Sequence, residues 1–179
     1  MRSPASLFRI AAAFPVALFL SLLSLPAAAT HVEVQGGRSY MDSYGSNTVW
    51  IEGVFNERPI GEGNFTWSPD VSAGWINGRN VARYQYSKPN TQDDVFLLAA
   101  GARFHYGDSS DWYHHLFASI QAAGQTGRTQ ALSSGYEFVS TLGWQAGHFS
   151  LQIRHVSNAS LKKPNRGETM ALVGVGFDF

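Results

Sequence analysis

Hydrophobic and polar residues alternate one by one through most of the chain beyond residue 30. Strict alternation is typical of β-strands, in which successive side chains point to opposite faces. The pattern predicts eight strands, each about long enough to cross a membrane when tilted. They span residues 31–40, 49–56, 64–75, 95–106, 112–121, 136–145, 149–157 and 169–179.

The connections between these segments also alternate in character. Short turns are predicted near residues 59–63, 107–108 and 146–147. Between them lie longer polar connections at 77–94, 125–135 and 159–167. An even number of strands, with short turns at one end and longer loops at the other, describes an outer-membrane barrel. Pro69, inside the third segment, predicts a bulge or a bend there. The predicted fold is therefore all-β, an eight-stranded antiparallel transmembrane β-barrel.

Alternation alone does not say which face of the strands points outward. A soluble lipocalin-like carrier also alternates, with its apolar side chains turned inward around a ligand. Two features favour the membrane barrel: aromatic residues near the ends of the apolar rows, and the terminal Phe179, which resembles the sorting signal of bacterial outer-membrane proteins. The polar side chains would then fill the lumen. The aromatic residues are Tyr40, Trp75, Tyr106, Trp112, Tyr136 and Trp144.

Residues 1–29 have the organisation of a secretory signal peptide. Arg2 and Arg9 precede an apolar stretch from Ile10 to Leu25, and small residues lead to a cleavage site after Ala29. The remaining residues 30–179 are enough for one barrel domain. They keep 11 of the 13 basic residues against 13 acidic ones, which excludes a nucleic-acid partner. The chain has no cysteine, which excludes disulfides and thiol chemistry.

The candidate chemistry lies around the last predicted loop. With both termini in the periplasm, odd-numbered segments run outward, so His155 and Ser157 lie at the outer end of the seventh segment. They continue the apolar row that faces lipid, and residues i and i+2 share a face of a strand. Two polar side chains on that face are costly unless they have a purpose. Glu168, across the loop, is close enough to join them.

A histidine, a serine and a carboxylate in this arrangement indicate acyl transfer. His155 would take the proton of Ser157 as the hydroxyl attacks an ester carbonyl. Glu168 would fix the histidine tautomer and stabilise the imidazolium. Asn158, or neighbouring backbone N–H groups, would donate hydrogen bonds to the oxyanion. The substrate would be a lipid ester at the surface of the outer leaflet.

The block His155-Val156-Ser157-Asn158-Ala159, followed by Leu161-Lys162-Lys163-Pro164-Asn165, resembles the signature of the PagL-type lipid A 3-O-deacylases. The resemblance implies an eight-stranded outer-membrane barrel that hydrolyses the ester at the 3-position of lipid A. It also implies release of a 3-hydroxy fatty acid, no cofactor, and catalytic roles for His155, Ser157 and Glu168.

This chain departs from the family pattern at the acid. Some members carry one more residue between the serine and the glutamate. Glu168 also falls on the lumen side if the eighth strand is regular from its first residue, in which case only a bulge or a loop end would free it. Asp42, on the other strand that flanks the eighth after closure, is the fallback acid.

Several further expectations concern partners and alternatives. Lys162, Lys163 and Arg166 would either bind the phosphates of lipid A or form an ordinary solvated loop. A lipid-facing site is compatible with a homodimer in the membrane. His105, His114 and His115 lack a recognised metal spacing, so no metal site is expected. The rival hypothesis is a non-enzymatic barrel, an adhesin or an envelope-stabilising protein.

Overall fold

The computed structural model describes residues 30–179, and the expected signal peptide, residues 1–29, lies outside the described residues. Eight long strands and one two-residue strand make up a single sheet. The strands are β1 (His31–Met41), β2 (Tyr44–Val54), β3 (Arg58–Pro59), β4 (Phe65–Ile76), β5 (Val95–Tyr106), β6 (Leu116–Thr126), β7 (Tyr136–Ala146), β8 (Phe149–Ser157) and β9 (Glu168–Asp178).

The sheet closes on itself. Each long strand pairs antiparallel with two long neighbours, β9 returns to pair with β1, and β2 pairs with β4. This closure confirms the predicted eight-stranded antiparallel barrel. Within residues 30–179 it also leaves no long strand with a free edge, as a strand structure inside a membrane requires. No helix within residues 30–179 is long and apolar enough to span a bilayer.

Pro69 lies beside a bulge, although its own strand stays regular. Its pairing with Ala102 of β5 keeps the register on either side. On the other flank, Val54 pairs with Asp70 and Arg58 pairs with Trp67. The three residues 55–57 therefore lie opposite only two residues, 68 and 69. Proline has no N–H to donate to a ladder, which suits a site where the neighbouring strand bulges. The predicted irregularity is present, in the strand next to Pro69.

The fifth predicted strand begins later than its hydrophobic pattern suggested. Trp112–His115 form a single 3₁₀ turn in the periplasmic connection, and the strand starts at Leu116. Trp112 remains 73% exposed, as an aromatic residue at a membrane interface would be. Its apolar character reflects this interface and not a place in the sheet.

The two faces of the strands divide as the membrane hypothesis predicts. Exposed side chains along the barrel are large and apolar, and inward-pointing side chains in the middle and periplasmic part are polar or charged. Glu52 lies at the centre of the lumen, where it accepts hydrogen bonds from Gln35 and from Arg154, at 2.8 Å for the latter. Arg103 is 3.3 Å from its other oxygen. The middle of the lumen therefore holds one carboxylate paired with two arginines.

The outer part of the lumen corrects the expectation of a polar interior. A buried apolar cluster there includes Trp50, Leu97, Val139 and Met170. Residues 127–135, part of the polar connection predicted at 125–135, cover this cluster with Ala131 and Leu132, both fully buried. The loop backbone bonds to its neighbours, with Gln130 N donating to Asn90 O and Gly167 N donating to Ala131 O. The external loops thus form a lid over the barrel.

Glu52→Ala should strongly destabilise the barrel, because it leaves the guanidinium groups of Arg103 and Arg154 buried without their shared carboxylate. Breaking a buried ion pair costs about 3–5 kcal/mol. The measurement is urea unfolding in detergent, followed by the heat-modifiable gel mobility of the folded form. Glu62→Ala, at an exposed position of the β3–β4 turn, is the matched control. Equal unfolding midpoints for the two variants would contradict a structural role for this network.

Candidate active site

The histidine–serine pair lies at the outer end of the β8–β9 hairpin. In this hairpin His155 pairs with Thr169, and Val156 pairs with Glu168. Directly opposed residues of an antiparallel pair share a face. His155 and Thr169 accordingly lie exposed on the lipid-facing side, whereas Val156 and Glu168 are buried in the lumen. Ser157, two residues beyond His155, is half-buried on the same outer side.

The imidazole of His155 is held by a hydroxyl group. Its Nδ1 lies 2.9 Å from Oγ1 of Thr169. When the hydroxyl accepts from Nδ1–H, the ring is fixed in the tautomer whose Nε2 is free to take a proton. Ser140 of β7 and Tyr40 of β1 continue the same row on either side. Thr169 is therefore the residue whose side chain orients the His155 ring.

Gly167 provides the space in which the imidazole lies. A Cβ at this residue would be 2.7 Å from Cε1 and 3.2 Å from Nε2 of His155. One step beyond the last paired residues of the hairpin, Gly167 comes opposite Ser157. The Nε2 edge of the ring thus faces the end of the hairpin that carries the serine. Gly167 also has a φ of 71°, in the left-handed region that favours glycine.

Glu168 points into the barrel. Its carboxylate accepts a hydrogen bond from Ser39 Oγ at 2.6 Å and pairs with Arg79 Nη2 at 2.7 and 2.8 Å. Arg79 in turn donates to the backbone carbonyl of Tyr44. In this conformation Glu168 joins β9 to β1 and to the second external loop. Its predicted role beside His155 would need the carboxylate to leave these partners.

Asp42, the fallback acid, also has another partner. It lies in the tight β1–β2 turn with a φ of 53°, and its Oδ2 accepts from Arg166 Nη1 at 2.7 Å. Arg166 belongs to the last external loop, so this ion pair joins that loop to the β1–β2 turn. Neither candidate carboxylate is bonded to His155.

Asn158 is fully buried and anchors the last loop. Its amide nitrogen donates to Ser134 Oγ at 3.2 Å and to the carbonyl of Lys162 at 3.0 Å. Both amide hydrogens are engaged, so a bond to an oxyanion would require one of them to be released. The next two residues, Ala159 and Ser160, have φ values of 53° and 63° and reverse the chain at the surface.

Of the three basic residues of the last external loop, two are exposed and one forms an ion pair. Lys162 and Lys163 are exposed in the last external loop, whereas Arg166 is paired with Asp42 and lies 5.0 Å from the ring of Tyr84. At the periplasmic end, the rings of His105 and His114 stack at 5.1 Å. In the part of the chain that the structure describes, no group of three or more His, Cys, Asp or Glu residues is placed to hold a metal ion.

These features define the class of protein: an outer-membrane β-barrel of eight strands with a histidine–serine pair at the outer end of its lipid-facing surface. The model of one protein family, PagL, described as lipid A 3-O-deacylase, matches residues 54–178. The chain belongs to the PagL family, whose members are outer-membrane enzymes.

A solved structure supports the same fold. The crystal structure of the outer membrane enzyme PagL superposes with a TM-score of 0.58 at 17% sequence identity. The match covers 83% of this chain and 99% of that one. A comparison with curated proteins finds no match. Membership of an enzyme family decides against the adhesin hypothesis, and the charged lumen decides against the lipocalin-like carrier.

Gly167→Ala should lower the deacylation rate by about a hundredfold, because a methyl group at 2.7 Å from the ring displaces the imidazole, and small misplacements of catalytic groups have effects of this order. The measurement is the initial rate of fatty-acid release from lipid A in detergent. Gly147→Ala is the matched control, since its φ is also positive, at 55°, and a Cβ there meets nothing within 4 Å. A similar rate loss in both variants would attribute the effect to backbone strain alone.

Proposed function

We propose that this chain hydrolyses the ester at the 3-position of lipid A by a serine mechanism, with Ser157 as nucleophile and His155 as general base. The observation that carries the proposal is the orientation of His155 on the lipid-facing surface. Its Nδ1 is bonded to Thr169, and its Nε2 edge faces the end of the hairpin that holds Ser157. A lipid ester reaches these groups laterally, without entering the barrel.

The reaction proceeds in two acyl transfers. Ser157 Oγ attacks the ester carbonyl while Nε2 of His155 takes the hydroxyl proton, and the imidazolium then returns that proton to the departing sugar oxygen. A water molecule, activated by the same nitrogen, cleaves the acyl-serine. The products are 3-O-deacylated lipid A and a free 3-hydroxy fatty acid, and His155 ends in its starting protonation state.

The best-placed hydrogen-bond donors to the oxyanion are backbone N–H groups in the turn after the nucleophile. Asn158 already uses both amide hydrogens within the protein. The N–H groups of Ala159 and Ser160 have no recorded partner within residues 30–179 and lie in an exposed turn two and three residues after Ser157. Preorganised donors of this kind stabilise the negative charge that develops on the carbonyl oxygen.

A groove on the lipid-facing surface is suited to the acyl chains. It has a volume of about 660 Å³, and Tyr40, Ile153, Ala171 and Val173 contribute to its lining. It begins beside Thr169, which pairs with Tyr40, and continues toward the periplasmic side of the barrel. A homodimer that buries part of this surface stays a prediction, which chemical cross-linking in native membranes tests.

Ser157→Ala should abolish the deacylation of lipid A, because it removes the nucleophilic oxygen. The measurement is mass spectrometry of lipid A from cells that express the wild type or the variant. Ser43→Ala, in the exposed β1–β2 turn, is the matched control and should keep full activity. A wild type that leaves the 3-linked chain in place would refute the function, and full activity of Ser157→Ala would refute the nucleophile.

Thr169→Val should reduce turnover about tenfold while the barrel remains folded, because it removes one hydrogen bond to His155 and keeps the side-chain shape. We expect Glu168→Gln to act differently. It weakens the ion pair with Arg79, so the unfolding midpoint should fall while turnover of the folded protein is retained. Steady-state kinetics and urea unfolding of both variants separate the two effects.

The opposite result would support Glu168 as the acid that orients His155, as the sequence predicts. If Glu168→Gln loses turnover at unchanged stability, and Thr169→Val retains it, Glu168 must turn toward His155 during the reaction. Asp42→Asn completes the set, because a loss of turnover confined to that variant would make Asp42 the orienting acid.

A further inference from the structure

Arg38 is a charged residue on the lipid-facing surface of the barrel. It lies in β1, three residues before the outer end of the strand, and it is exposed on the same side as Val34, Gly36 and Tyr40. A charge on this face is costly, and such residues usually serve a function. Its guanidinium Nη2 would be 2.9 Å from a Cβ on Gly45, near the outer start of β2, so the side chain is directed outward.

Within the described residues 30–179, the guanidinium group of Arg38 has no carboxylate partner. Among the arginines of the eight long strands, Arg103 and Arg154 both contact Glu52. Within residues 30–179 the recorded side-chain partner of Arg38 is the neutral Asn47, whose Oδ1 accepts from Nη1 at 2.6 Å. Asn47 fixes the orientation of the guanidinium group without neutralising it. The remaining N–H donors and the full positive charge are available at the outer surface.

Arg38 also lies on the same face of the sheet as His155 and Thr169. It pairs with Ala171 of β9, two residues after Thr169, and Thr169 pairs with His155. The guanidinium group lies against Asn47 and Gly45 of β2, three strand spacings or about 14 Å from β8. Gly45 pairs with Tyr40, so the group reaches the level of Thr169 and His155 along the strands. Arg38 and Tyr40 line the outer end of the groove, whereas Leu142, Leu151 and Val173 line its apolar part toward the periplasm, which would hold the acyl chains. A single lipid molecule can therefore contact both the serine and this arginine.

We propose that Arg38, positioned by Asn47, binds a phosphate group on the headgroup of the lipid whose ester Ser157 attacks. The inference rests on the proposed function. A guanidinium fork suits phosphate oxygens, and a charge without a carboxylate partner suits an anion. Arg166, which the sequence offered for this role, is paired with Asp42. Arg38 would thus orient the sugar so that its acyl ester comes to the nucleophile.

The test measures binding in the Ser157→Ala background, so that no turnover occurs. The probes are lipid A with its phosphates and the same lipid A after enzymatic dephosphorylation, both in detergent micelles with the mature barrel. Arg38→Gln should weaken binding of the phosphorylated form about tenfold and leave the dephosphorylated form unaffected. Asn47→Ala should weaken the same interaction to a smaller extent.

Arg83→Gln is the matched control, because Arg83 is exposed in the second external loop, near the ring of Tyr84. It should bind both lipids like the parent. Equal weakening of both lipids by Arg38→Gln, or none, would overturn the phosphate site and leave the deacylase proposal intact. If the parent binds neither form of lipid A, the proposed function fails together with this inference. Heat-modifiable mobility of every variant shows that the barrel is folded.

Discussion

Inside a membrane every backbone N–H and C=O must find its partner within the protein, and the closed ladder of eight long strands meets this requirement. A ladder without slips imposes strict alternation, since a shift of one residue moves a side chain to the other face. At the start of β9 this rule separates two neighbours. Glu168 faces the lumen and Thr169 faces lipid, so only the second can lie beside His155 in a regular hairpin.

The same constraint favours a site on the outer surface for the proposed chemistry. The lumen is occupied by paired side chains around Glu52, and the loop at residues 127–135 covers its outer end with buried residues. A lipid with several acyl chains has no path through such an interior. On the outer surface, in contrast, the substrate is already present at the depth of the rim. Arg154, which pairs with Glu52 in the lumen, belongs to the same strand as His155 and Ser157, so the paired charges tie that strand to the opposite wall of the barrel.

Period-two alternation was sufficient to predict the number and order of the long strands, the barrel and the lipid-facing position of His155, because each depends on local parity. It did not give every boundary: the second strand is Tyr44–Val54 and was predicted at 49–56. Parity does not report what lies across the barrel, so the apolar cluster beneath Ala131 and Leu132 was missed. It also cannot show that Asn158 is used to anchor a loop. A threonine on a β-strand attracts no notice, and Thr169 becomes informative only when the register places it opposite His155. Arg38 interrupts the apolar row of the first predicted segment. That charged residue among apolar ones was the signal in the sequence that could have pointed to a functional role for Arg38.

In the proposed mechanism His155 is hydrogen-bonded to a hydroxyl group instead of a carboxylate, which changes what the histidine can do. As an acceptor from Nδ1–H, Thr169 selects the tautomer and orientation that a general base needs, which is part of the contribution of a triad acid. It brings no negative charge, so the imidazolium that the proposed attack would form would gain less stabilisation than a carboxylate would give it. A carboxylate at the outer rim would cost little, because the penalty for an acidic side chain is small near the interface. In the regular hairpin it is therefore the register, and not desolvation, that keeps a carboxylate from His155: Glu168 lies one residue before Thr169, faces the lumen and pairs with Arg79.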